Sequence, residues 1–238
     1  MTAAELRLAG RRGENLVATI VIPSVVLLLF SSVAILPTGA GRPVDFLLPG
    51  SIALAIIATS FVSLGIVTAY DRHYGVLKRL GGSPLSRVEL IAAKIVSVLV
   101  VEAVQVVLLV AIAALVLGWR PGPDASPILG LVSVLAGTLA FAGLGLLIAG
   151  TLRAETVLAL ANVLFLGFMV VGGIVVPVDH LPGPLATLAS VLPAAALSDA
   201  LREAVGAPPS GDAAQSIATL LVWGTAAIAL AARTFAWD

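Results

Sequence analysis

Six long apolar stretches joined by shorter connections decide what this chain can become. They run from about Leu16 to Leu36, Phe46 to Ala69, Leu90 to Leu117, Ile128 to Leu152, Val157 to Val176 and Ala213 to Ala232. Crossing about 30 Å of hydrocarbon takes about 20 helical residues. Lipid offers backbone groups no partner, so only helices and closed barrels span it. Barrel strands alternate apolar and polar residues, and these stretches do not. The sequence therefore predicts an all-α integral membrane protein with six transmembrane helices. Composition agrees: 60% of residues are hydrophobic and 11% charged, against about 45–50% and about 25% in soluble domains. Arg11 and Arg12 precede the first stretch as in a signal peptide. That stretch exceeds the usual 7–15 apolar residues and has no small-x-small site after it, so it reads as a retained helix.

Charge flanking the spans sets their direction, because basic residues stay on the cytoplasmic side. Ten of the 13 basic residues fall on one side: Arg7, Arg11, Arg12, Arg72, Lys78, Arg79, Arg87, Lys94, Arg153 and Arg233. Arg42, Arg120 and Arg202 fall on the other, among Asp45, Asp124, Asp179, Asp199, Glu203 and Asp212. Both termini are expected in the cytoplasm.

Several chemistries are excluded. Net charge is +0 and there are no cysteines, so there is no basic field for nucleic acid and no disulfide, zinc-thiolate site or thiol nucleophile. His73 and His180 are far apart, which argues against a histidine metal cluster. No G-x-x-x-x-G-K-[ST], G-x-S-x-G or H-E-x-x-H occurs. The segments outside the spans are too short for a catalytic domain. No matched pair of broken helices marks a secondary transporter.

Two connections carry information. In the first, about Tyr70 to Glu89, Tyr70, Tyr74, Leu77 and Leu80 share one helical side, with His73 and Val76 beside them. Asp71, Arg72, Gly75, Lys78 and Arg79 take the other. The pattern predicts a short amphipathic helix in the membrane surface, ended by Gly81-Gly82 and a Ser83-Pro84 turn. A capping box, Ser86 to Glu89, then starts the third span. A solvated loop helix and a docking surface fit this pattern equally. The second connection, Pro177 to Asp212, is too apolar for a solvated loop. Pro182, Pro184 and Pro193 divide it into two short helices, Leu185 to Leu192 and Ala194 to Val205, with Gly206 as a stop. Neither can span, so both read as re-entrant or interfacial. His180, alone there, reads as a surface residue. Asp212 to Gln215 caps the sixth span.

Polar groups inside the spans are few. Glu102 lies about 12 Å deeper than Lys94, which is expected to snorkel to the interface. Gln105 shares the Glu102 face. Substrate contact, proton coupling, gating and a structural interhelix hydrogen bond all fit. Asn162 shares a face with Phe165 and Met169, and such residues often join helices. Pro23 and Pro49-Gly50 signal kinks or loops. Glycines 137, 143, 145 and 150 predict close packing of the fourth span.

The order of spans and loops resembles the ABC type-2 permease family, the membrane subunits of ATP-binding-cassette exporters. The match is strongest over Asp71-Arg72-His73-Tyr74-Gly75-Val76-Leu77-Lys78-Arg79-Leu80-Gly81-Gly82-Ser83-Pro84-Leu85-Ser86-Arg87. It continues through Pro177, Leu181-Pro182, Leu192-Pro193 and Leu201-Arg202. Asp71 stands where Glu is commoner, and Gly81-Gly82 where a bulkier or basic residue is usual.

The resemblance implies one transmembrane permease domain over residues 1–238. Residues 1–15 form a cytoplasmic connecting segment, 70–86 the cytoplasmic coupling helix, and 177–212 an extracellular re-entrant segment. Asp71, Arg72, Gly75, Leu77, Lys78, Arg79, Leu80 and Pro84 would dock a cytoplasmic ATPase subunit, two of which serve each complex. ATP and Mg would bind on that partner, and no cofactor on this chain. A second permease chain, identical or different, would complete the path. The second and fifth spans would line it, with Phe61, Asn162, Phe165 and Met169 as substrate contacts and Glu102 and Gln105 along the pathway. The expected location is the cell (plasma) membrane of a bacterium. The apolar path favours a hydrophobic or amphipathic cargo: drug-like, lipid-like or peptide. An ion- or proton-coupled transporter using Glu102 and a non-transporting membrane anchor subunit are the competing readings.

Overall fold

A computed structural model of the chain describes residues 13–32, 42–76, 87–207 and 212–234. Its regular elements are helices, with no strand among the described residues. Helix α1 is Gly13–Ser32. The second span is one 31-residue unit, Pro43–His73. It comprises α2 (Pro43–Ile56), a π-helical segment (Ile57–Ser63) and α3 (Leu64–His73). Then come α4 (Arg87–Leu115), α5 (Pro127–Thr151) and α6 (Ala154–Val171). A short 3-10 turn (Val178–His180) precedes α7 (Gly183–Ala189), α8 (Pro193–Ala204) and α9 (Ala213–Thr234). Among the described residues five units are long and apolar enough to cross a membrane: the second span, α4, α5, α6 and α9. Of α1, the described apolar part is Thr19–Ser32, and the sixth expected crossing rests on the sequence.

Helix starts follow from local chemistry. Pro43, Pro127 and Pro193 open their helices, where a missing N–H costs nothing. Ser126 Oγ accepts from Leu129 N (3.3 Å) at the start of α5. At α9, Asp212 Oδ1 accepts from Ala214 N (2.9 Å). The neighbouring Ala213 N donates instead to Glu203 Oε2 on α8 (2.9 Å), which ties α8 to the last span. Helices α7 and α8 form the expected broken pair, bent by 75°.

The second span is the core. Of its most apolar window 72% is buried, against 17% for α6. Helix α5 packs along α9, and α8 is wedged among α2, α5 and α9. Three of the four expected packing glycines are in close contact: a Cβ at Gly137, Gly143 or Gly145 would press on Leu197 of α8, Ala227 of α9 or Phe61 of the second span. Phe61, Phe141 and Phe168 interlock the second, fourth and fifth spans, with ring centroids 5.5–6.5 Å apart.

Two sequence expectations are corrected. Pro49-Gly50 makes no loop; both sit inside α2. Gly50 is a packing position, since a Cβ there would lie 2.4 Å from Ile174 O. The amphipathic helix predicted from Tyr70 does not begin there. Residues 70–73 are the last turn of α3, and the chain turns at Tyr74 and Gly75.

Candidate functional site

Two clusters hold most of the polar side chains singled out by the sequence, and a third holds one that it did not mark as a site. The first is where α3 ends, the end of the bundle shared with the start of α4 and the close of α5. Gly75 stops α3 with φ +67°, and its N–H reaches Arg72 O (2.9 Å). A Cβ at Gly75 would meet nothing within 4 Å, so its conformation is what requires glycine. Gly75→Ala is expected to cost about 1–2 kcal/mol, the left-handed penalty of an L-residue, read as a lowered melting temperature in detergent.

Asp71 and Arg72 turn inward. Asp71 Oδ2 accepts from Lys94 Nζ of α4 at 3.0 Å. Arg72 Nη2 donates to Leu152 O, at the end of α5. Lys94 therefore does not snorkel; it is buried at 2% exposure, because an ion pair within reach satisfies its charge where apolar surroundings would not. Tyr70, His73 and Tyr74 stack edge and face at 5.1–6.4 Å. Tyr74 (69%) and Val76 (41%) are exposed. Leu77, Lys78, Arg79, Leu80 and Pro84 lie outside the described residues.

The second cluster is inside the bundle. Helix α4 buries one stripe, Ile91, Lys94, Val98, Glu102, Gln105, Leu109 and Ala113, at three- and four-residue steps that follow the helical repeat. The Thr138 hydroxyl of α5 bonds Glu102 Oε2 and also lies 2.8 Å from Val134 O. Gln105 Oε1 accepts from Thr59 Oγ1 of the π segment (3.0 Å). Its Nε2 donates to Thr19 O of α1 (3.1 Å). Thr19 O is the carbonyl that would take the N–H of residue 23, and residue 23 is Pro23, which has none. Gln105 thus fills the gap that Pro23 opens, and together with Thr59 joins three helices. Sequence reasoning marked both residues without linking them; the four-residue offset of Thr19 from Pro23 was the available signal. Glu102 and Gln105 share a face but bond to different neighbours.

Phe61 is 1% exposed and belongs to the aromatic core. Asn162 stands on the exposed side of α6, its Nδ2 donating to Leu158 O (2.7 Å). Phe165 and Met169 are half-buried beside it. The structure does not bring Phe61 together with Asn162 on one surface.

The third cluster, unrecognised in the sequence, is at the opposite end. Arg202 of α8 is 3% exposed. It donates to Gly173 O and to Asp199 Oδ1 (3.0 Å), and stacks over Phe46 of α2 with Cζ 4.2 Å from the ring centroid. The glycines at 122 and 206 meet nearby, and Gly122 N reaches Val205 O (3.0 Å).

Among the described residues no three His, Cys, Asp or Glu side chains gather as a metal site would need. A family model described as ABC-2 type transporter matches residues 1–205 of the chain. No curated protein sequence matches it.

Proposed function

The chain belongs to the ABC-2 type transporter family and is a multi-pass membrane subunit of an ABC transporter; from this premise we propose that it is the permease of an exporter. In this reading two permease chains face each other. Two cytoplasmic ATPase subunits dock at residues 70–86, and a hydrophobic or amphipathic substrate leaves the cell on ATP hydrolysed by those partners. The basic end of the bundle lies in the cytoplasm, in line with the charge bias of the sequence. That places α7 and α8 on the outside. The ATP and Mg belong to the partner, in keeping with a sequence that carries no phosphate-cradling loop.

One observation carries the reading beyond family membership. The second span, the most buried of the five candidate spans, runs directly into the outward-facing turn at Tyr74 to Val76. A displacement there reaches the core through continuous helix. Asn162 supports a path along α6. An amide on an outer face with one N–H met by its own helix is costly against lipid, and is accommodated where water, substrate or a facing chain covers it.

The test is purification from intact membranes in mild detergent. An ABC ATPase should come along, and its hydrolysis should drive a lipophilic fluorescent dye across reconstituted vesicles. A chain recovered without any nucleotide-hydrolysing companion overturns the reading.

Glu102 separates this reading from ion coupling. It packs against Thr138 between α4 and α5, a joint that an amide can also make. Glu102→Gln is expected to leave ATP-driven transport and melting temperature close to those of the unaltered chain. Abolished transport with ATPase binding intact would favour the ion-coupled alternative.

A further inference from the structure

Trp223 stands near the middle of the last span, α9, which runs from Ala213 to Thr234. At 1.5 Å per residue it lies about 15 Å from the Ala213 end, half of about 30 Å of hydrocarbon. Tryptophans gather at membrane interfaces, where the indole N–H meets water. At this depth the N–H needs an acceptor within the protein, and Trp223 Nε1 donates to Val191 O at 2.9 Å. Val191 lies in the 75° bend between α7 and α8. Its carbonyl falls outside both helical ladders: α7 ends at Ala189, and α8 is capped by Leu192, whose own carbonyl takes Ala196 N. Among the described residues no backbone N–H reaches Val191 O. An unmet carbonyl is costly in lipid, so indole and carbonyl satisfy each other.

The segment around the bend suits the same surroundings. Leu181 to Ser198 holds no Asp, Glu, Lys or Arg. Thr187 and Ser190 turn their hydroxyls back onto Gly183 O (3.1 Å) and Thr187 O (2.8 Å), while Leu185, Leu188 and Val191 are exposed. Helix α7 packs on α6 and the 3-10 turn, which leaves that apolar side open. We propose that Trp223 is a positioning residue, holding the bend of the re-entrant pair at the middle of the bilayer, and that lipid acyl chains cover the exposed side of α7. This depends on α9 crossing the membrane, and not on what the chain carries or what drives it.

The test uses the natural absence of cysteine. The full chain, carrying one introduced cysteine at a time, is labelled with a nitroxide and reconstituted in phospholipid vesicles. Collisions with oxygen, which concentrates in lipid, and with a water-soluble nickel chelate give each label's depth. Arg120→Cys, in the exposed loop before α5, marks water, and Val222→Cys, exposed beside Trp223 on α9, marks the middle of the span. Labels at Leu188→Cys and Val191→Cys should resemble the Val222 label. Trp223→Phe keeps an aromatic ring and removes the N–H. In that variant the chelate-accessible share of the Val191 label should rise roughly tenfold, the factor that losing one such hydrogen bond represents. A label at Val104, exposed toward the middle of α4, should keep its depth. Leu188 and Val191 labels as open to the chelate as the Arg120 label overturn the proposal, as does a Val191 label that Trp223→Phe leaves in place. A Val104 label that moves as well would make the loss a general loosening, again against a positioning role. Labels on α7 shielded from both oxygen and chelate, or broadened by a second label nearby, would mean that another copy of the chain covers this side instead of lipid. Failure of Trp223→Phe to reach the membrane would make Trp223 a folding residue and end the positioning role.

Discussion

Arg202→Met is expected to lower stability by roughly 3–5 kcal/mol, the usual cost of removing one partner of a buried ion pair. The lower end is the better expectation, because the Asp199 side chain keeps 21% exposure. The substitution removes three attachments together. Gly173 O loses its guanidinium donor, Asp199 loses its counter-charge, and Phe46 loses the cation stacked on it. Those groups lie on the turn after α6, on α8 and on α2, so one side chain fastens the re-entrant pair to the central span. Thermal melting of the purified chain in detergent measures the loss. Arg202→Lys should recover only part of it, since an ammonium keeps charge but cannot fork between two oxygens and stack flat on a ring. Asp199→Asn added to Arg202→Met should also recover part, by removing a carboxylate that no longer faces that guanidinium. Arg202→Met melting with the unaltered chain would mean that the clasp holds nothing.

That cluster also shows where the sequence stops being readable. Spans and the re-entrant pair are legible because hydrophobic length and proline placement are local properties. The expected Ala213 start and the break before Pro193 recur in the structure. Which apolar helix faces protein and which faces lipid is not local. The windows of α5 and of the second span have the same mean hydropathy, 2.3, and α4 reaches 2.8, yet α4 is 22% buried and the second span 72%. In lipid both environments are apolar, so composition cannot separate them. The same blindness explains Phe61, which reads as a path residue and packs into an aromatic core. It explains Lys94 as well: a lysine near a span end reads as an interfacial anchor unless Asp71, 23 residues earlier, is known to face it. The π segment has no pattern of its own in the sequence. It lies where Thr59 bonds across to α4, where Ser60 Oγ donates back to Ile56 O (2.6 Å), and where Gly145 lets α5 press on the backbone. Such wide turns in a helix often mark functional places.

The pairing of Gln105 with Pro23 makes a prediction that no single substitution could. Gln105→Leu removes two hydrogen bonds inside the bundle. An orphaned carbonyl costs roughly 1–3 kcal/mol, and the lost hydroxyl bond about 1 more. Leucine is close in volume and apolar, so packing alone would predict little change. The penalty arises because Thr19 O has no N–H from residue 23 to turn to. Pro23→Ala supplies that N–H. It should therefore do little in the unaltered chain, where Gln105 already holds the carbonyl, and it should restore a large share of the stability lost in Gln105→Leu. The portion due to Thr59 should stay lost. A double-mutant cycle on melting temperature gives the coupling directly. Rescue confined to the Gln105→Leu background assigns the glutamine to helix repair. Additive effects of the two substitutions would instead return Gln105 to the substrate path, with its bond to α1 incidental.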